Sequence, residues 1–190
     1  MPARRRRLLF ALLGLSALST LIVVALLSVT RLYSVPSGSM EPTLPRGARI
    51  VVTLATLWKD GLPALGELVT YEQEGTLRVK RVVGVPGDVV EFKDGHLVRN
   101  GAQVPTEAAG EQPCDPEETK PCRRFGEQLG EARYQILLWP EDSVTRRDDG
   151  PITVPRESVY VAGDNRYASS DSRHAGPVPK ARLKGRVVLW

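Results

Sequence analysis

Residues Leu8 to Thr30, LLFALLGLSALSTLIVVALLSVT, run for 23 positions without a charge. As a helix at about 1.5 Å per residue this stretch spans roughly 34 Å, enough to cross the hydrocarbon of a bilayer. It exceeds the apolar core of a secretory signal, about 7 to 15 residues, and no A-x-A-like site follows it, so a retained anchor is expected over a cleaved leader. Arg4 to Arg7 precede the run and Arg31 alone follows closely. The positive-inside rule then predicts a cytoplasmic basic N-terminus (1–7), a transmembrane anchor (8–30) and an extracytoplasmic domain (31–190) in the cytoplasmic membrane.

The formal charge of +4 is misleading as a hint of nucleic acid. Five arginines and no acid fall within residues 1–31, which leaves 21 basic and 22 acidic residues elsewhere. The basicity belongs to the N-terminus, and nucleic-acid binding is excluded as the working class. A chain of 190 residues with 42% hydrophobic composition suffices for one core beside the anchor.

Beyond the anchor the sequence predicts a mainly β, antiparallel domain. Ala48 to Leu54, Glu67 to Glu72, Thr76 to Val83, Val89 to Phe92, Arg133 to Trp139, Ser158 to Ala162 and Arg186 to Leu189 are short Val-, Ile-, Leu- and Tyr-rich runs. Asp94-Gly95 and Asn100-Gly101 flank HLVR as tight-turn signals. There is no long amphipathic helix and no internal repeat.

Three stretches carry polar chemistry. Val35 to Leu44, VPSGSMEPTL, sets Ser37 and Ser39 around Gly38 between two prolines, which predicts a rigid, exposed turn whose hydroxyl is either a nucleophile or part of a linker. Ser39 lies nine residues past the run, at most about 30 Å of extended chain, so a site there faces the membrane surface. Lys80 sits among Val79, Val82 and Val83 in a predicted strand. It points either to solvent or into a dry site where its amine becomes a base. Gly163 to Arg173, GDNRYASSDSR, is a dense polar loop after a strand, readable as a site or as surface ion pairs.

Together these stretches resemble the bacterial type I signal peptidases, membrane-anchored Ser/Lys proteases that remove signal peptides from exported proteins. The likeness covers the anchor, SGSMEPTL, GELVTY (with Glu67 where the family usually has Asp), KRVVGVPGD and GDNRYASSDSR. It implies Ser39 as nucleophile, Lys80 as general base, and an oxyanion hole made by the Ser39 N–H and the Ser37 hydroxyl. It further implies that Ser169 orients the lysine amine, that Asp171 and Arg173 form a bracing salt bridge, and that Val35 and Val79 line pockets for small substrate side chains. The implied partners are signal peptides and the lipid bilayer, with the chain acting as a monomer.

The chemistry needs no histidine: a neutral Lys80 can take the serine proton and return it to the leaving amine. His96, in a predicted hairpin, and His174 read as surface or structural residues. Two histidines and two separated cysteines form no metal-ligand cluster, and no cofactor is expected. In an exported, oxidising setting Cys114 and Cys122 are expected to pair within a cap insertion placed in residues 89–162. Two other classes remain: a related peptidase with one dedicated substrate, and an anchored envelope β-domain without activity. The second leaves the spacing of Ser39, Lys80 and Ser169 unexplained.

Overall fold

The computed structural model describes residues 3–55, 61–114, 121–140 and 148–190. In chain order, α1 spans Ala3–Val29 and β1 Thr30–Ser34, followed by β2 (Arg49–Leu54), β3 (Leu68–Gln73) and β4 (Thr76–Gly84). Next come β5 (Val89–Lys93), β6 (His96–Arg99), β7 (Ala102–Gln103), β8 (Thr106–Pro113), β9 (Pro121–Leu129), β10 (Ala132–Leu138) and β11 (Asp149–Thr153). The chain closes with β12 (Ser158–Ala162), the short α2 (Ser172–Ala175), β13 (Val178–Pro179) and β14 (Leu183–Leu189). Along α1 the described side chains run from 10 to 24 and resume at 28. The arginine cluster lies outside them. Among the described residues no helix is long and apolar enough to cross a membrane.

The main sheet has seven strands in the order β1-β2-β14-β3-β4-β12-β13, every pair antiparallel. Two smaller sheets, β10-β9-β8 and β11-β5-β6-β7, arise from the insertion between β4 and β12. The turn signals act as their chemistry requires: Asp94 and Gly95, and Asn100 and Gly101, all take positive φ, closing β5 on β6 and β6 on β7.

The expected cap boundary needs correction. Cap strands end at Thr153, and Ser158–Ala162 is an inner strand of the main sheet, buried at every position. Its unbroken apolar run reflects cover on both faces. The cap is also richer in strands than the sequence implied, because β8 and β9 are polar ribbons.

Period-2 alternation on β4 positions the site. Lys80 and Val82 share one face while Arg81 and Val83 share the other. Val82 packs there with Val69, Tyr71, Val159 and Val161, and Val83 joins Phe92, Tyr134, Ile136 and Tyr160 between sheet and cap. Near one end of the sheet Val35, Met40 and Leu44 pack on Ile50, Val52 and Leu68.

Candidate active site

The stretch 35–44 is a turn, with a cis Glu41–Pro42 peptide, but it is not the exposed one expected. Met40 and Leu44 are fully buried and Ser39 is only 7% exposed. Met40 and Leu44, on either side of Pro42, seat the turn in the core, and this tertiary packing outweighs its loop-like composition. Ser37 remains exposed, with its hydroxyl 3.2 Å from the Ser39 hydroxyl.

Lys80 lies inside, 4% exposed. Its Nζ donates to Ser39 Oγ at 2.6 Å and to the Val79 carbonyl at 3.1 Å. Burial drives its pKa down to about 8; Asp171 and Asp164 pull it upward, while Arg78 and Arg173 push it down. Ser39, Lys80, Ser37, Val35 and Val79 all line one cleft of about 500 Å3, with Tyr33, Leu77 and Arg78 along its walls.

The polar loop after β12 folds behind this pair. Asp171, fully buried, accepts from Arg173 through both Nε (2.8 Å) and an Nη (2.7 Å), and from the Gly163 N–H at 2.8 Å. Burial opposes its ionisation, yet the Arg173 bonds and charge, with Ser169 and Gly163, hold the carboxyl below its usual range. Ser169 departs from its expected place: its hydroxyl donates to Asp171 Oδ2 at 2.6 Å, and it makes no described bond to Lys80. A carboxylate two residues away is the stronger acceptor. Ser169 Oγ and the Ser39 carbonyl both crowd Gly163, where a Cβ would come within 2.3 and 2.5 Å of them. That position therefore excludes any side chain.

Arg81, Thr43 and Asn165 were not singled out from sequence, and Asp164 was read only as a charge of the polar loop, in a site or in a surface ion pair. Arg81 forks onto Asp164 at 2.8 and 2.6 Å, reaches the Gly66 carbonyl at 2.7 Å and lies over the Tyr134 ring at 3.8 Å. Thr43 Oγ1 donates to the same aspartate at 2.5 Å. This ties the serine turn, β4 and the polar loop together. The available signal was the Lys-Arg pair itself, since adjacent strand residues face opposite sides and the arginine therefore enters the core opposite the lysine. Glu67 contacts Ala64 N and Arg186, away from the cleft. Cys114 and Cys122 form a disulfide that packs on Leu137 and Trp139. His174 is exposed; His96 lies edge-on to Phe125 at 5.3 Å, its pKa lowered mainly by burial. Among the described residues no group of three or more His, Cys, Asp or Glu could hold a metal ion.

A hydroxyl bonded to a dry amine, beside a second hydroxyl and at a cleft wall, has the makings of a serine hydrolase that works without imidazole. Comparison with known proteins gives the family. The model of the family described as "Signal peptidase, peptidase S26" matches residues 6–190, and the chain belongs to that family of peptidases. It is similar to signal peptidase IB of Staphylococcus aureus strain COL, 27% identical over 155 residues covering 82% of this chain and 74% of that protein. It is also similar to signal peptidase I of Bacillus amyloliquefaciens, 32% identical over 157 residues covering 80% of this chain and 71% of that protein. A crystal structure of a signal peptidase I from Enterococcus faecalis V583 aligns with a TM-score of 0.39 and 23% identity, over 67% of this chain and 97% of that one.

Proposed function

We propose that the protein is a membrane-anchored signal peptidase that cuts signal peptides from exported preproteins, with Ser39 as nucleophile and Lys80 as general base. The observation that carries this reading is the 2.6 Å contact between Ser39 Oγ and an amine whose pKa is brought down to about 8. Neutral Lys80 takes the hydroxyl proton as Ser39 attacks the scissile carbonyl. The resulting ammonium then gives that proton to the departing amine. The Ser39 N–H, free of described partners, and the Ser37 hydroxyl stabilise the tetrahedral oxyanion, a type of contact worth roughly 3 to 4 kcal/mol. Ser169, Asp171 and Arg173 brace the wall behind the amine.

The substrate lies as an added strand. β4 pairs with β3 along Thr76–Arg81 but with β12 only from Arg81 onward, so residues 76–80 keep one edge free among the described strands. Residues 33–37 form the opposite wall of the cleft. Val35 and Val79 sit where small side chains of that strand enter.

The membrane reading rests on Leu8 to Thr30 and on α1, where Phe10, Leu12, Leu13, Leu15, Leu18, Leu21 and Ile22 are each at least 51% exposed. Aliphatic exposure all round a helix suits lipid better than water. The anchor then spans once, with the N-terminus cytoplasmic and the sheet outside. The test is incubation of the purified full chain in detergent with a preprotein. A product shortened at the signal-peptide junction is expected from the wild type and not from Ser39→Ala; an intact preprotein under both conditions rejects the assignment.

A further inference from the structure

The nucleophile turn is held from both sides by one residue that the proposed chemistry does not use. Asn165, 1% exposed, donates its backbone N–H to the Ser39 carbonyl at 3.2 Å and its side-chain Nδ2 to the Gly38 carbonyl at 3.3 Å. The Glu41 N–H also reaches that carbonyl, closing the turn at 3.1 Å.

The Gly38 carbonyl and the Ser39 N–H belong to one peptide unit. That unit is planar and trans, so the two groups point in opposite directions. Fixing the carbonyl against Asn165 fixes the direction of the N–H, which turns away from Asn165 and has no described partner. Hydrogen bonds accepted at the carbonyl also polarise the unit and make its N–H a better donor.

The orientation of the Asn165 amide is in turn set from the cap. Trp139 Nε1 donates to Asn165 Oδ1 at 3.1 Å. An indole N–H can only donate, so the carboxamide must present its oxygen to Trp139 and its nitrogen to Gly38. Trp139 itself packs with Leu137 and the Cys114–Cys122 disulfide. The end of β10 pins the loop by backbone bonds, Leu137 N–H to the Asp164 carbonyl at 2.9 Å and Arg166 N–H to the Leu137 carbonyl at 3.0 Å.

We propose that Asn165 is a positioning residue for the oxyanion-stabilising N–H of Ser39, and that Trp139 fixes the Asn165 amide in the orientation this requires. The inference rests on the proposed Ser39 and Lys80 chemistry and adds a task for the cap: it aligns the oxyanion donor.

The experiment compares full-length wild type, Asn165→Ala and Trp139→Phe in detergent on a peptide spanning a signal-peptide junction, with Ser39→Ala as control. Trp139→Phe deletes the N–H and with it part of the ring that packs on Leu137 and the disulfide, so its melting temperature is read beside its kinetics to separate lost packing from the lost hydrogen bond. Because misalignment of the donor weakens the transition state and not the bound substrate, kcat is expected to fall roughly 10- to 100-fold for Asn165→Ala and 3- to 10-fold for Trp139→Phe. KM should change less than about threefold, and the pH limb set by Lys80 should stay in place. Affinity for a peptide aldehyde of the same sequence, whose adduct with Ser39 carries the oxyanion, should fall in parallel with kcat/KM. A merely structural role would lower the melting temperature and leave kcat and aldehyde affinity of the folded fraction unchanged. That result, or a kcat within twofold of wild type for both variants, overturns this inference and leaves the dyad standing. A wild type that cleaves nothing overturns both.

Discussion

Lys80 Nζ reaches Ser39 Oγ at 2.6 Å across 41 positions of sequence, and both side chains are more than nine-tenths buried. Placing a primary amine there serves only if it can lose its proton, and that condition links the site's geometry to measurable pH and stability behaviour.

Ser39→Ala and Lys80→Met are each expected to abolish cleavage while the domain stays folded, since both remove a reacting group and neither removes a large apolar one. Lys80→Arg should be equally inactive, because guanidinium keeps its proton at any useful pH. Activity of the arginine variant above a few per cent of wild type, read by product formation, would rule out the base role.

With the Lys80 pKa lowered to about 8, roughly one amine in ten is neutral at pH 7, against about one in 2500 for a free lysine. The log of kcat/KM is expected to rise with slope near one and level off above an apparent pKa of about 8. His174→Ala should leave that limb unchanged. A limb near pH 6 that disappears with His174 would replace the lysine by a histidine mechanism.

The same shift predicts a cost to stability. Lys80 binds its proton less tightly in the folded than in the unfolded chain, so stability should rise as pH goes from about 8 to 10.5, and below 8 the penalty is fully present. Lys80→Met carries no charge to bury and should be more stable than wild type at pH 6 by on the order of 3 kcal/mol, the difference narrowing toward pH 10.5. Urea midpoints at the two pH values check it; equal midpoints at pH 6 would show that the amine is not desolvated.

Legibility in the sequence followed how local each signal was. The Ser-Gly-Ser turn, the lysine inside a valine strand and the NG and DG hairpins are short-range patterns, and each landed within a residue or two of its place. β8 and β9 were missed because TEAAGEQP is mostly exposed and PCRRFGEQL buries a glutamate among its inward residues, so hydrophobic alternation, the signal for a half-buried strand, is absent. The burial of Ser39 depends on where Met40 and Leu44 pack, and the partner of Ser169 on competition from Asp171. Neither is written in a local window. Helix α1 is legible as a run of uncharged residues, and its placement in lipid belongs to the proposed function.

Glu127 offers a test of how the cap holds the site. Arg166 and Glu127 pair with both side chains fully buried, Arg166 also donates to the Gly95 and Gly163 carbonyls at 3.0 and 3.2 Å, and Tyr134 donates to Glu127 at 2.6 Å. Glu127→Ala strands a buried guanidinium and is expected to cost about 3 to 5 kcal/mol in denaturant unfolding. A loss below about 1 kcal/mol would mean that water reaches the arginine.

Topology can be read with a reporter active only in the cytoplasm, fused after Trp190. The fusion should be silent, and signal from it would reverse the orientation assigned to the arginine cluster. Mature protein beginning near Ser34 would show the apolar run to be a cleaved leader.

Helix α1 ends at Val29 and β1 starts at Thr30, and β1 is laced to β2 at every position from Thr30↔Thr53 to Ser34↔Arg49. No slack lies between them. With α1 in the bilayer, as proposed, a loose tether would let the serine sample many heights above the lipid, whereas a paired strand allows one. The enzyme would then work as a ruler: a preprotein is cut where its chain, measured from the end of its own apolar segment, reaches that height. Spacer residues added between that segment and the normal junction should carry the bond past the serine even when the side chains around the cut are unchanged.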